Sequence, residues 1–170
     1  NQSAVMDISK IYEKVATLPK RYYGASATLA LVYRAFAKDK QSNSSVVIKH
    51  IGDSRVYHFS ANTKTWRCIT RDHNLLNQLV DEQAAAENRQ ADFGEYNQDG
   101  MASPMYALTD CLIADSDLDS NPMSAYDSQT LKVSSGDCLV VCTDGVHDLV
   151  LCDEWQGIDK HTDLQAWLKQ

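Results

Sequence analysis

Residues 46–60 read Val-Val-Ile-Lys-His-Ile-Gly-Asp-Ser-Arg-Val-Tyr-His-Phe-Ser, and the fold turns on how this stretch is read. Val46–Ile51 is a β-branched run, Gly52-Asp53-Ser54 is a tight turn signal, and Arg55–Ser60 is a second strand-like run. That pattern predicts a β-hairpin. Outward from it, Gln41–Ser45 and Ala61–Thr65 are polar turns. A strand is predicted at Trp66–Thr70 and another in Ala25–Ala37, which makes a meander of three or four antiparallel strands. Near the other end, Thr130–Val133 and Cys138–Thr143 flank Ser134-Ser135-Gly136-Asp137 and predict a second hairpin. Its second strand is apolar almost throughout, as in a strand buried on both faces. Helical spacing of Val5, Ile8, Ile11, Tyr12 and Val15 predicts a helix over Ser3–Leu18, stopped by Pro19. Leu75, Leu76, Leu79 and Val80 predict a second over Asn74–Glu87, and Leu164, Trp167 and Leu168 a third over Thr162–Lys169. Residues 88–103 and 115–125 are polar and irregular. Antiparallel runs of strands with helices between them predict an α+β sandwich, not a doubly wound sheet.

The chain has 170 residues, which fits one domain. With 44% hydrophobic and 23% charged residues it is neither disordered nor fibrous. No run approaches the roughly 18 apolar residues of a membrane span. The net charge of −7 speaks against a nucleic-acid binder. That charge is unevenly spread. Residues 1–75 carry 12 Lys/Arg against 5 Asp/Glu, and residues 76–170 carry 4 against 18. The ordinary meaning of such a split is solvated faces. The sharper one is that clustered carboxylates hold cations. Cys68, Cys111, Cys138, Cys142 and Cys152 are odd in number, irregularly spaced and without a Cys-x-x-Cys pair, so they read as reduced structural residues. That suits a cytoplasmic protein. No signal peptide is visible before residue 20.

Two loops carry the chemistry. One is Gly52-Asp53-Ser54-Arg55. The other is Thr143-Asp144-Gly145-Val146-His147-Asp148, which follows the buried strand. An aspartate at a strand end has rigid support with its oxygens toward solvent, and a neighbouring glycine allows close approach to an ion or phosphate. Hard divalent cations take such oxygens. Taken singly, Gly-Asp and Asp-Gly are common turn pairs. Their order along the chain adds the weight. Gly24-Ala25-Ser26-Ala27-Thr28 comes first, then Gly52-Asp53-Ser54-Arg55, then Thr70-Arg71-Asp72-His73-Asn74, then the Thr143–Asp148 loop.

This ordered set resembles the PPM/PP2C family of metal-dependent protein serine/threonine phosphatases, over roughly residues 22–152. The resemblance implies a four-layer α-β-β-α sandwich, two antiparallel sheets with helices on the outer faces. It implies a site at one end where aspartates hold two or three Mg²⁺ or Mn²⁺ ions. Asp144 would be a ligand of the metal pair, and Asp53 and Asp148 partners of a third, weaker ion, with Ser54, Arg55 and Gly145 in supporting places. Residues from about 79 to 106 would form a flap beside the site. The implied reaction is attack on a phosphoserine or phosphothreonine of a protein substrate by a metal-activated water, with no covalent intermediate. Nucleic acid and membrane are not implied as partners.

The family's first Asp-Gly motif does not occur between Asn1 and Gly24, and its final Asp-Asn pair does not occur after Asp148. The preferred expectation is a phosphatase domain, spanning residues 1–170, that lacks both of its ends. The alternative is a pseudophosphatase acting as a binding module. No general acid is assigned: His50, His58, His73 and His147 are expected to be surface or hydrogen-bonded residues. Asp115-Ser116-Asp117-Leu118-Asp119 fails as a calcium loop, because Ser120 and Tyr126 stand where Gly and Glu are required. Gly24–Thr28 does not complete a nucleophile elbow.

Overall fold

The computed structural model describes residues 8–19, 26–35, 45–91, 104–113 and 127–148. Helix α1 (Ile8–Ala16) precedes strands β1 (Ser26–Ala27), β2 (Leu29–Ala35), β3 (Ser45–Ile51), β4 (Arg55–Ser60) and β5 (Thr65–Cys68). Then come helix α2 (Leu75–Ala86), a 3-10 turn (Pro104–Tyr106), strands β6 (Leu112–Ile113), β7 (Asp127–Lys132) and β8 (Cys138–Cys142), and the short helix α3 (Asp144–His147). The class is α+β, and every strand pair described is antiparallel. One sheet runs β2-β3-β7, a second runs β5-β4-β8, and β1 pairs with β6.

Both predicted hairpins are corrected. β3 pairs with β2 and β7, whereas β4 pairs with β5 and β8. Gly52-Asp53-Ser54 is therefore a corner that carries the chain from one sheet to the other. Ser134–Asp137 does the same between β7 and β8. The reason lies in burial. A hairpin within one half-wet sheet keeps one face polar. β3 and β4 are each flanked by two strands, and β4 is buried on both faces from Arg55 to Phe59.

Three apolar layers follow. Between the sheets, Ile48, Val56, Ile69 and Leu131 meet, with Ala30, Val32 and Leu139 beside them. On the outer face of the first sheet, Ile51 and Leu112 pack with Leu29, Leu31 and Ile11 of α1. On the outer face of the second, Tyr57, Phe59, Trp66, Cys68 and Cys142 cluster with Val146 of α3. The side-chain alternation of β4 makes this possible, since Val56 faces the first sheet while Tyr57 and Phe59 face away. β8 is less buried than its sequence suggests. Val141 is 48% exposed.

The predicted helix over Asn74–Glu87 is present, with the Asn74 side chain capping it by accepting the Asn77 N–H at 2.9 Å. The first helix is described from Ile8. The predicted helix over Thr162–Lys169, and residues 92–103 of the expected flap, lie outside the described residues. The described part of that flap begins as the second half of α2 and ends in the 3-10 turn. Among the described residues, no helix is long and apolar enough to cross a membrane.

Two corners define the ends of the sandwich. At the first, Gly52 has φ +94°, and a Cβ there would lie 2.3 Å from the Thr28 Cγ2. At the second, Asp137 accepts the Ala61 N–H and the Ser134 N–H, both at 2.8 Å, and its carboxylate faces the His58 Nε2 at 3.0 Å. One carboxylate thus ties the β4–β5 turn to the β7–β8 corner. Burial works against the Asp137 charge. The two backbone N–H groups and the His58 ring outweigh it and hold the carboxyl below its usual range.

Gly52→Ala should destabilise the protein by about 1–3 kcal/mol or more, through positive φ and the Thr28 clash together. Urea unfolding at neutral pH measures this. Asp137→Asn should show a pH-dependent deficit. Because the native pKa is depressed, the stabilising term is fully present above the ordinary carboxylate pKa of 3.8 and is lost as pH falls through the lower native value. The gap between wild type and Asp137→Asn should therefore narrow on acidification below about pH 4, read from unfolding midpoints.

Candidate functional site

Asp53 sits in the Gly52 corner, and three hydrogen bonds pin that corner. The Gly52 carbonyl accepts the His73 N–H at 2.9 Å, and the Gly52 N–H donates to His73 Nδ1 at 3.2 Å. The Ser54 hydroxyl lies 2.7 Å from that of Thr28. So the Gly24–Thr28 and Thr70–Asn74 motifs, distant in sequence, both close on this turn.

The second loop arrives as β8 ends. Thr143 leaves the sheet and Asp144 opens α3, where the Gly145 N–H donates to Asp144 Oδ1 at 2.8 Å. Both Asp144 and Gly145 are exposed. His147, one turn later, is 4% exposed, and its Nε2 donates to the Asp53 carbonyl at 3.0 Å. A carbonyl oxygen only accepts, so Nε2 carries the proton. The other nitrogen, Nδ1, lies 3.2 Å from Asp148 Oδ1, without the geometry of a hydrogen bond. One imidazole therefore bridges the Asp53 corner to the helix that bears Asp144 and Asp148. Close by, burial pushes the Cys111 thiol up, and Asp110 and Asp53 push it further. Asp110 thus adds to the negative field at this end.

Arg55 supports the corner from below. Its guanidinium grips Asp72 bidentately, Nε to Oδ1 at 3.0 Å and Nη2 to Oδ2 at 2.7 Å, and Nη1 reaches the Tyr57 hydroxyl at 3.3 Å. The two side chains are 4% and 3% exposed. Burial raises the Asp72 carboxyl above its usual range, and the guanidinium contact opposes that rise. Asp72 also lends its backbone carbonyl to the Asn77 side chain, which ties the pair to α2.

Of the four histidines expected to be surface or hydrogen-bonded, three are hydrogen-bonded and His50 is neither. His50, His58, His73 and His147 are all buried. His50 is 1% exposed, neither ring nitrogen has a hydrogen-bond partner, and burial with the neighbouring His73 lowers its pKa to about 3. Its ring stands 4.9 Å from that of His73, whose Nε2 lies 3.2 Å from Asp127 Oδ2. None of the four was singled out for a site by sequence. A His next to a Gly-Asp turn and an Asp-His pair before a helix were the available signals.

Asp53, Asp144 and Asp148 offer only oxygen donors, the chemistry of Mg²⁺ and Mn²⁺ sites. They do not form a three-ligand cluster: among the described residues, only His50, His73 and Asp127 bring three ligand atoms within 4.8 Å of one another. Carboxylates set farther apart suit ions that keep several waters. An open polar cleft of about 370 Å³ lies beside the start of α2 and includes Arg71, His73, Asn74 and Asp110. Arg71 is engaged there with Asp81 and with the Asn77 carbonyl.

No protein-family model and no curated protein matches the sequence. Solved structures match the fold. A serine/threonine phosphatase of S. agalactiae aligns with TM-score 0.59 at 23% identity, covering 95% of this chain and 58% of that one. A bacterial serine phosphatase aligns with TM-score 0.62 at 20% identity, over 95% and 59% of the two chains. The catalytic domain of the serine/threonine phosphatase PstP, in complex with two manganese ions, aligns with TM-score 0.52 at 18% identity, over 95% and 58%. The chain spans under three-fifths of the length of these structures, and at such identities the likeness establishes a PP2C-like fold.

Removing one member of the buried pair should expose what it stabilises. Asp72→Asn or Arg55→Met should each cost about 3–5 kcal/mol, because a lone buried charge or an unmatched donor remains. Chemical unfolding of each single variant and of the double variant measures the coupling, which should be large and non-additive.

Proposed function

We propose that this chain is part of a phosphatase domain that hydrolyses phosphoserine and phosphothreonine on proteins with the help of Mg²⁺ or Mn²⁺. The observation that carries the reading is the His147 bridge. It draws the Asp53 corner, which joins the two sheets, to the α3 end of β8. Acidic loops from distant parts of the sequence meet there on a fold otherwise seen in serine/threonine phosphatases. Asp144 would hold the principal ions, and Asp53 and Asp148 a further one. Bound there, such ions supply an activated water and neutralise phosphoryl charge.

The chain's own residues do the rest. The Arg55–Asp72 pair and the His73 contacts hold the Gly52 corner rigid, so Asp53 reaches solvent from a fixed backbone. Asp144 is held by the Gly145 N–H, at the end of a strand whose Cys142 is buried in the core. The described thiols are poorly suited to act as nucleophiles. Burial pushes Cys68 up to about 12 and Cys142 up to about 11, and raises Cys111 and Cys138 as well. None of these four offers a thiolate near neutral pH. The proposed partner is a phosphorylated protein segment. Cys111, Cys138 and Cys142 are free thiols, which supports a cytoplasmic setting as part of the same proposal.

A second reading, a non-catalytic binding module, draws on the spacing of Asp53, Asp144 and Asp148, which do not converge as a tight cluster. One experiment separates the two. The full-length protein is assayed on an aryl phosphate and on a phosphothreonine peptide, with Mn²⁺ and with chelator. Mn²⁺-dependent turnover that chelator abolishes, and that Asp144→Asn lowers at least about a hundredfold, is the expected result. Mn²⁺ binding without turnover would favour the binding module. In the same assay His147→Gln, which keeps a donor toward the Asp53 carbonyl, should retain more of kcat than His147→Ala, while thermal unfolding reports any general loss of stability.

A further inference from the structure

We propose that His50, His73 and Asp127 form a second metal site, selective for a borderline transition-metal ion such as Zn²⁺, whose occupation loosens the Gly52 corner. This site is separate from the carboxylate loops and does not rest on the phosphatase reading.

Three ligand atoms, one from each side chain, lie within 4.8 Å of one another. The 3.2 Å between His73 Nε2 and Asp127 Oδ2 is close to the separation of about 3.3 Å that two ligands subtend on a tetrahedral ion at about 2.0–2.1 Å. His50 supplies the independent sign of a ligand. A fully buried imidazole with no hydrogen-bond partner is costly, and here it is directed at the other two groups. The Ser54 backbone lies close enough to favour its charged form slightly, yet no well-formed bond results. Burial keeps His50 neutral at physiological pH, with a lone pair available, and the His73 contact keeps Asp127 ionised, as metal binding requires. Asp127 is 52% exposed in its side chain, which gives an ion a way in and leaves room for a water as a further ligand. Two imidazoles and one carboxylate suit Zn²⁺, Co²⁺ or Ni²⁺ rather than Mg²⁺.

The donor set also dictates a consequence. His73 Nδ1 accepts the Gly52 N–H, so the ring proton now sits on Nε2, toward Asp127. An ion can take Nε2 only in the other neutral tautomer, so the single ring proton moves from Nε2 to Nδ1 as the ion binds. Nδ1–H would then face Gly52 N–H, donor against donor. Metal binding must therefore break the Gly52 N–H bond to His73, one of the bonds that pin the Asp53 turn.

The test uses Co²⁺ as a visible probe on the full-length protein, with Zn²⁺ as competitor. The expected result is a visible absorption from a nitrogen-coordinated ion, displaced by Zn²⁺ but not by excess Mg²⁺. His50→Gln and Asp127→Asn should each weaken binding at least about tenfold, since losing even an outer hydrogen-bond partner of a metal ligand costs about 10–100-fold. Asp144→Asn should leave the signal unchanged. In the Zn²⁺-loaded protein, the Gly52 amide should shift and exchange faster by NMR. If His50→Gln fails to fold, Asp127→Asn, at a half-exposed position, carries the comparison. No Co²⁺ signal, equal affinity in wild type and Asp127→Asn, loss of the signal in Asp144→Asn, or an unmoved Gly52 amide in the loaded protein would each overturn the proposal.

Discussion

A carboxylate with 3% exposure cannot stay charged without a partner, and Asp72 has a bidentate one in Arg55. Much of the molecule is arranged around that need. Arg55 is the first residue of β4, so its position fixes where the second sheet begins. Asp72 lies between β5 and α2, so the same pair sets how the chain leaves that sheet. The next residue, His73, then falls beside Gly52 and holds both its N–H and its carbonyl. A corner between two sheets has no ladder of its own to define it. Here the definition comes from the ion pair on one side and the histidine on the other. The glycine between them is forced by φ and by Thr28.

The strands were legible in the sequence, and so were the pairings of β2 with β3 and of β4 with β5 that the expected meander contains. Val46–Ile51 and Arg55–Ser60 are strands almost to the residue. What the pattern could not report is which sheet each joins. A β-branched run with a Gly-Asp-Ser turn is compatible with a hairpin and with a sandwich corner. The difference lies in long-range packing: Ile48 and Val56 meet across the gap between sheets, while Ile51 and Tyr57 point to opposite outer faces. The same ambiguity misled the reading of Ser134–Asp137. α2 was clear because its signal is local, an Asn cap before an apolar stripe.

The candidate site divides in the same way. Asp53, Asp144 and Asp148 stood out because aspartate beside glycine is conspicuous, and the structure brings Asp53 and Asp148 to one histidine. His147 stood in the same loop, but its contact with Asp53 was not legible, since it joins positions 94 residues apart. Asp72 was seen only as part of a motif, and its pairing with Arg55 spans 17 residues of sequence. His50 was expected to be a surface or hydrogen-bonded residue. Only the fold shows that its even-numbered face looks inward, with Ile48, so that a polar side chain was placed in the core.

The uneven charge along the chain acquires a structural meaning from the strand order. β7 and β8, from the acidic half, lie against β3 and β4, from the basic half. At one end this sets Asp137 against His58, and at the other it sets Asp127 against His73. Neither acidic residue would be near its partner if residues 130–143 folded back on themselves as a local hairpin. The crossover that defeated the local reading is therefore what lets the two halves complement each other. It also leaves two further carboxylates of the acidic half, Asp144 and Asp148, exposed at the corner where Asp53 emerges. The carboxylates buried in the sandwich, Asp72 and Asp137, are partnered by a guanidinium and an imidazole, and Asp144 and Asp148 at its rim are exposed. That division is what a protein needs if it is to hold hard cations at its edge without destabilising its core.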